Sequence, residues 1–321
     1  MSLPALRAIR ETFPKAHLAV VARPSVAGLY ARESVVDRVL TYSGSRRAFA
    51  RQLRGERFEC AILLQNAFDA ALLTWMAGIP DRIGYSRDGR GLLLTRAIRV
   101  PETGEIPRHE SFYYFELLRR AGLLEHFPAI TAIRLDGIES ARAAGARRMA
   151  ALGISGAIGI SPGAAFGGAK RWLPERFVEA ARKLAHPVVV FGSASERDLC
   201  QQVADSLGAP NLAGKTTLEE FIELAAACRL FLTNDSGAMH VASALAVPTV
   251  AVFGATDDTT TGPAGPLARV VREHAECSPC LLRECPIDHR CMTRISTDRV
   301  AAAAFALLEE SAPASTHEAR S

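Results

Sequence analysis

The stretch FLTNDSGAMH at residues 231–240 constrains the fold of this chain more than any other. An apolar run ends in the turn sequence TNDSG, and a segment of small residues follows. The pattern predicts a buried strand, a tight turn and a helix whose first residues point back at the turn. Asp235 or Ser236 would cap that helix, and Gly237 would let a ligand approach the backbone. Because helix N-termini attract anions, we predict either an anion site, which His240 could also reach, or an ordinary capped corner.

The same alternation of strand and helix extends through the C-terminal half. Four short apolar runs lie at 157–160, 187–191, 229–232 and 247–253, and a turn and a helical pattern follow each of the first three. Such alternation predicts a parallel, doubly wound α/β sheet that binds ligands at its carboxyl edge. The N-terminal half alternates similarly but begins with a helix. We predict two α/β domains of Rossmann type facing a cleft, at 1–152 and 153–310, and a disordered tail at 311–321.

Two polar loops follow the first two strands of the C-terminal half. The loop SPGAAFGGAKRW at 161–172 combines Gly163 and two later glycines, which would let it fold around an anion, with the mobile cation Lys170. It lacks the Gly-Lys-Ser/Thr of a Walker motif. In the second loop, Gly192 and Ser193 precede Glu196. A carboxylate just past a strand end often binds ribose hydroxyl groups, although Glu196 could equally serve as a helix N-terminal acid.

Charge is distributed unevenly along the chain. Residues 1–150 contain 23 Lys and Arg against 15 Asp and Glu, whereas the whole chain contains 38 against 34. An arginine-rich N-terminal half suggests an anionic partner, with a solvated basic surface as the alternative. Nucleic acid is not expected, because no binding motif is present. No apolar run is long enough to span a membrane and no signal peptide is visible, so we expect a cytoplasmic protein.

Several polar residues of the N-terminal half are candidates for binding that anionic partner. Asn66 follows a predicted strand and is also a fair helix N-cap. Arg87 and Arg90 lie in a glycine-containing loop that we expect to be flexible and cationic, and His109 begins an aromatic helix. The alternatives are an exposed turn for the arginines and a surface histidine.

Four cysteines, Cys277, Cys280, Cys285 and Cys291, lie within one short segment that also contains His289. Such a set could hold a structural zinc ion. Only the first two form a Cys-x2-Cys pair, however, so free loop thiols are the competing interpretation. No cofactor is otherwise expected.

In combination, these segments resemble glycosyltransferase family 9, the heptosyltransferases, over nearly the whole chain. The resemblance rests on SPGA…AKRW at 161–172, FGS at 191–193, TNDSG…MH at 233–240 and the segment Cys-x2-Cys-x4-Cys-Pro. It implies a GT-B fold with an N-terminal acceptor domain and a C-terminal donor domain. The implied reaction is inverting transfer of L-glycero-D-manno-heptose from ADP-heptose to a heptose of the lipopolysaccharide inner core. The implied acceptor, lipid A–Kdo–heptose, would place the enzyme peripherally at the inner membrane.

The resemblance also implies roles for individual residues. Lys170 would contact the donor diphosphate and would, with Asp235, form the catalytic pair. The donor would be lined by Asp235, Ser236 and Gly237 at the pyrophosphate and sugar, with His240 alongside, Glu196 at the ribose and Thr216 at the nucleoside. No metal would be needed, because a cation and helix N–H groups can stabilise the departing diphosphate.

This chain differs from the family pattern at its beginning. Members of the family open with a strand and a Gly-Asp turn whose Asp is the presumed general base, whereas this sequence starts within the following helix, MSLPAL. We therefore expect the complete protein to be longer, and the N-terminal sheet to be interrupted where that strand would lie. Two alternatives stay open: a nucleotide-sugar-binding protein with impaired catalysis, and a GT-B glycosyltransferase with another nucleotide-sugar donor.

Overall fold

The computed structural model describes residues 1–129 and 132–311. The chain divides into two compact units, residues 1–130 and 131–321. The predicted disordered tail, apart from Ser311 at the end of the last helix, lies outside the described residues.

Unit 1 is an α/β unit whose strands all pair in parallel. Its helices are α1 (Leu3–Thr12), α2 (Pro24–Tyr30), α3 (Arg46–Glu56), α4 (Phe68–Ala77) and α5 (Glu110–Arg120). Its strands are β1 (Ala19–Ala22), β2 (Arg38–Thr41), β3 (Cys60–Leu63), β4 (Asp81–Tyr85) and β5 (Arg96–Ile98). The described strands form two separate sheets, β1-β2 and β3-β4-β5. The described strands of unit 1 therefore do not form one continuous sheet.

Unit 2 contains one parallel sheet of five strands in the order β10-β9-β8-β6-β7. Its strands are β6 (Ile158–Ser161), β7 (Val188–Val190), β8 (Leu230–Asn234), β9 (Thr249–Phe253) and β10 (Ala268–Arg272). Its helices are α6 (Ile138–Ala151), α7 (Pro174–Leu184), α8 (Arg197–Leu207), α9 (Leu218–Ala226), α10 (Gly237–Ala244), α11 (Asp258–Thr261), α12 (Arg290–Thr293) and α13 (Thr297–Glu310). The predicted doubly wound sheet is confirmed.

The strand order of unit 2 places its ligand-binding edge. From β6 the chain goes to β7 on one side and then returns to β8 on the other. The connections that leave the carboxyl ends of β6 and β8 therefore diverge, and a crevice opens between them. Strands β8 and β9 are buried along their whole length, which explains why they read as continuous apolar runs.

Helix α6 corrects the predicted domain boundary. The sequence interpretation assigned residues 138–151 to the N-terminal domain, but α6 packs on α9 of unit 2. A Cβ atom at Gly145 would lie only 1.8 Å from the carbonyl oxygen of Glu223, so the two backbones are in close contact. Arg148 adds ion pairs to Glu223 at 2.6 Å and Glu220 at 3.1 Å. The compact units accordingly divide near residue 130 and not at 152.

Candidate active site

The carboxyl ends of β6 and β8 are held together by one buried amide. Ser161 and Thr233 are register partners in the two strands. The Nδ2 atom of Asn234 donates to the carbonyl oxygens of Pro162 at 2.7 Å and Gly163 at 3.3 Å. Its Oδ1 atom accepts from the backbone N–H of Trp172 at 2.9 Å. Asn234 thus fixes both ends of the glycine-rich loop to β8, a role that the sequence interpretation missed.

Lys170 and Asp235 meet at this crevice. The Nζ atom of Lys170 lies 2.6 Å from Oδ2 of Asp235, and both side chains are largely buried. The same oxygen accepts a hydrogen bond from the hydroxyl of Thr256 at 2.7 Å. Lys170 also lies over the ring of Phe166, 4.9 Å from its centroid. Thr256 is a further site residue that the sequence interpretation missed; it follows β9, so the carboxyl ends of three adjacent strands contribute to one cluster.

Asp235 does not cap helix α10. Ser236 occupies the N-cap position, and its side chain makes no capping hydrogen bond within the described residues. Its hydroxyl lies 3.1 Å from that of Thr233 instead. A Cβ atom at Gly237 would have no neighbour within 4 Å in the described structure. The first N–H groups of α10 are therefore not capped by a described side chain, as an anion site requires. His240 lies one turn further along α10 and is half-buried.

Glu196 lies beside the glycine-rich loop. Its Oε2 atom accepts from the backbone N–H of Ser193 at 2.8 Å and from the Ser193 hydroxyl at 2.7 Å. A Cβ atom at Gly163 would lie 2.1 Å from Oε1 of Glu196, so a side chain there would displace the Glu196 carboxylate. At Gly192, a Cβ atom would lie 2.6 Å from the sulfur of the buried Cys200. Glu196 is thus close to the crevice, although one of its oxygens serves the local turn.

One expectation for the glycine-rich loop needs adjustment. The later glycines of the first loop do not fold around an anion in this structure: a Cβ at Gly167 would lie 2.2 Å from the Arg283 carbonyl oxygen, and the Gly168 N–H donates to Glu284 at 3.0 Å. Both therefore pack against the cysteine segment. Thr216 directly precedes Thr217, which caps α9 in a capping box.

The four cysteines line one small cavity of about 60 Å³, together with His289. Burial and the three neighbouring thiols raise the pKa of Cys291 to about 11. Within residues 1–129 and 132–311, no three His, Cys, Asp or Glu side chains are grouped closely enough to hold a metal ion. The Nε2 atom of His289 lies 3.0 Å from the carbonyl oxygen of Ala169, next to Lys170. The cysteine segment therefore supports the glycine-rich loop at 161–172 through hydrogen bonds and packing.

The zinc site stays a prediction with a direct test. If the four thiols close around zinc, purified protein should contain one equivalent of the metal, and Cys280→Ser should lose it, because a structural site needs four ligands. Elemental analysis and thiol titration of the native and variant chains measure this. Metal-free protein with all four thiols reactive would contradict the prediction and leave the segment as a packing element.

Arg90 differs from the flexible cation that the sequence suggested. Its side chain is fully buried. It donates to the carbonyl oxygens of Tyr85 at 2.8 Å and Gln65 at 2.5 Å, and to Oδ1 of Asn66 at 3.0 Å. Burial lowers the pKa of this guanidinium. Arg90 therefore joins the ends of β3 and β4, and the expectation of an exposed, mobile Arg90 is wrong.

Of the other candidate residues of unit 1, Asn66 and Arg87 lie near Arg90. Asn66 is not a helix N-cap, since Ala67 holds that position; its Nδ2 donates to the Tyr113 hydroxyl at 2.9 Å. Arg87 is about half-exposed, and Tyr113 raises its pKa. His109 caps α5, accepting from the Ser111 N–H at 3.3 Å. Tyr113, read from sequence only as part of an aromatic face, links this cluster.

Removing Arg90 is expected to destabilise unit 1. Arg90→Met would remove the side-chain donor from three acceptors, of which the Tyr85 carbonyl keeps the N–H of Arg87. Each acceptor left unsatisfied costs about 1–3 kcal/mol. We expect urea denaturation to show a loss of about 3 kcal/mol. The exposed neighbour provides the control, because Arg87→Met should change stability by less than about 0.5 kcal/mol. Equal effects of the two substitutions would contradict a structural role for Arg90.

The part of the chain that the structure describes contains no helix that is both long and apolar enough to cross a membrane.

Comparison with known proteins gives consistent results. The sequence profile of glycosyltransferase family 9 (heptosyltransferase) matches residues 46–290. Lipopolysaccharide heptosyltransferase 2 of Salmonella typhimurium is 32% identical over 293 residues, which cover 85% of this chain and 84% of that protein. The solved structure of the ADP-heptose LPS heptosyltransferase II of E. coli is similar with a TM-score of 0.82 at 30% identity, covering 96% of this chain and 94% of the other. A family 9 glycosyltransferase from Veillonella parvula, at 23% identity and a TM-score of 0.81 over 97% and 93% of the chains, shares the fold.

Proposed function

Because the chain belongs to glycosyltransferase family 9, we propose that it transfers L-glycero-D-manno-heptose from ADP-heptose to a heptose of the lipopolysaccharide inner core. One observation carries the proposal. A buried cation, Lys170, lies at the crevice between β6 and β8, where α10 begins without a side-chain cap. A cation and a helix N-terminus at a topological switch point are what a nucleotide diphosphate needs.

The proposed reaction is a displacement at the anomeric carbon. An acceptor hydroxyl forms the new C–O bond, the bond to the diphosphate breaks, ADP leaves with the electron pair, and the hydroxyl proton passes to a general base. Charge develops on the departing diphosphate, so Lys170 and the N–H groups of α10 would stabilise the transition state. The contact of Asp235 with both Lys170 and Thr256 would hold the lysine in place. We propose that Glu196 contacts the ribose with its second oxygen, and that Thr216 and His240 line the donor.

We propose that the cluster in unit 1 takes part in acceptor binding. The acceptor, lipid A–Kdo–heptose, is anionic, and Arg87 is the exposed cation of this cluster. Asn66 and His109 would contribute polar contacts, while the buried Arg90 would act through its charge and through the position of Asn66. Since this acceptor is anchored in a bilayer, the enzyme would work at the cytoplasmic face of the inner membrane as a peripheral protein.

Transfer to a defined acceptor tests the proposal. The chain is incubated with ADP-heptose and an inner-core acceptor that carries one heptose, and the acceptor mass is followed. A gain of one heptose with release of ADP supports the proposal. Binding of ADP without transfer would favour the alternative of a catalytically impaired nucleotide-sugar-binding protein. Stronger competition by UDP or GDP than by ADP would favour a transferase with another donor.

A further inference from the structure

The outer face of α4 is apolar although it is exposed to solvent. Phe68 and Trp75 are 47% and 53% exposed. They flank the half-buried Leu72 at helical spacings of four and three residues, so the three side chains share one side of the helix. Ala71, Leu73 and Ala77 of the same helix are buried, and Leu73 and Ala77 lie on the opposite side. We call Phe68, Leu72 and Trp75, together with Leu92, the α4 face.

Leu92 extends this face on one side. It lies in the 3₁₀ helix Arg90–Leu93 and is 97% exposed. The residues beside it, Leu93 and Leu94, pack with Ala70 and Ala71 of α4. The turn therefore lies against the helix while Leu92 points to solvent. A fully exposed leucine, on a turn that packs against a helix with two exposed aromatic side chains, is typical of an interaction surface.

Arginines of α3 border the α4 face on the other side. Helix α3 is fixed along α4 by Arg46, whose Nε atom lies 2.5 Å from Asp69, and by Arg54, which donates to the Met76 carbonyl oxygen at 2.7 Å. Arg47 and Arg51 are exposed and share a side of α3 with Arg54, the side next to α4. Within the described residues, neither Arg47 nor Arg51 has an ion-pair partner. Two exposed cations thus lie on the helix that packs along α4.

We propose that the α4 face, with Arg47 and Arg51, docks unit 1 on an anionic phospholipid surface. Trp and Phe on one side of a helix with flanking arginines is the composition of interfacial helices, whose aromatic side chains enter the headgroup region while cations bind lipid phosphates. A bilayer can adapt to an exposed helix ridge, whereas a protein partner would need a complementary surface. The choice of lipid also rests on the proposed function, because the acceptor is lipid-linked.

The tryptophan content of the chain makes a direct test possible. The protein contains two tryptophans, and the other one, Trp172, is fully buried. A blue shift of tryptophan fluorescence on adding vesicles therefore reports Trp75. We expect this shift, and sedimentation of the full chain, with vesicles that contain phosphatidylglycerol and much less with vesicles of phosphatidylcholine alone. Trp75→Phe should remove the shift while most of the sedimentation remains.

Two double variants, each with a matched control, decide the proposal. F68S/W75S should lower vesicle partitioning at least about tenfold, whereas Phe305→Ser, at an aromatic side chain 44% exposed in unit 2, should not. R47E/R51E should also lower it about tenfold or more. R142E/R147E, the same charge change in unit 2, should have a much smaller effect. All variants should keep the thermal unfolding midpoint of the parent chain.

Other outcomes would overturn the proposal. Equal partitioning of the F68S/W75S variant and the parent would show that the α4 face does not contact lipid. Self-association of the parent, removed by the same substitutions and not by vesicles, would assign the face to a second copy. Transfer to a delipidated acceptor should be unchanged in these variants. If the parent transfers heptose but does not bind vesicles, this proposal fails and the proposed function stands. If the parent binds vesicles but does not transfer heptose, the proposed function fails instead.

Discussion

Lys170→Ala is expected to lower kcat for heptose transfer by about 10²–10³-fold. The Nζ atom of Lys170 is the cation placed at the crevice of unit 2, and its contact with Asp235 holds it there. In the proposed reaction, the charge on the departing ADP would then lose this stabilising cation. The carboxylate of Asp235, only 6% exposed, would also keep only the hydroxyl of Thr256 as a side-chain partner among the described residues and would repel the diphosphate. Steady-state kinetics with ADP-heptose and isothermal titration with ADP measure the two effects.

The controls separate chemistry from folding. Lys183→Ala removes an exposed lysine of the same unit, paired with Asp298, and should leave kcat unchanged. Asp235→Asn combined with Lys170→Ala should bind ADP better than Lys170→Ala alone, because the uncompensated carboxylate is gone. Full activity of Lys170→Ala would exclude the proposed role of this lysine. Additive losses in the double variant would show that Asp235 does not act through Lys170.

The sequence predicts the C-terminal half well because its signals are local. Continuous apolar runs identify β8 and β9, and the turn TNDSG identifies the beginning of α10. Since parallel strands end at one edge, the sequence also brings Lys170 and Asp235 to the same region. The other hydrogen-bond partner of Asp235, Thr256, could not be predicted from these local signals. Thr256 reaches it from a turn 21 residues further along the chain, and a threonine after a strand carries no distinctive signal.

Arg90 shows a second limit of sequence reasoning. An arginine in a glycine-containing loop is usually exposed, and the sequence suggested a mobile cation. The structure buries it because carbonyl oxygens at the ends of β3 and β4 converge on its guanidinium. That convergence depends on tertiary pairing of the strands. The roles of Asn66 and Tyr113 follow from the same contacts and were likewise not visible in the sequence.

Helix α6 shows a third limit. Its sequence predicts a helix, but helical periodicity does not indicate which unit the helix packs on. Glycine at position 145 is the one local signal, because glycine inside a helix lowers helix propensity and often marks a close backbone approach. In the structure that approach is to the carbonyl of Glu223, within unit 2.

Gly145→Ala is therefore expected to destabilise unit 2 by about 2–3 kcal/mol. The added methyl would lie 1.8 Å from the Glu223 carbonyl oxygen and 3.0 Å from Cβ of Ala227. No side-chain rotation can relieve a contact with backbone, so α6 would have to move away from α9 and weaken the ion pairs of Arg148. Urea denaturation measures the loss, and hydrogen exchange should accelerate in peptides of α6 and α9.

The same substitution at Gly28 provides the control. Gly28 lies within α2, and an added Cβ would meet no atom within 4 Å in the described structure. Gly28→Ala should therefore stabilise the protein by about 0.5–1 kcal/mol, the ordinary gain of alanine over glycine in a helix. Opposite signs for two identical substitutions would locate the effect of Gly145→Ala in the contact between α6 and α9. If Gly145→Ala instead stabilised the chain and left exchange in α9 unchanged, α6 would not belong to unit 2, and the boundary at residue 152 would have to be restored.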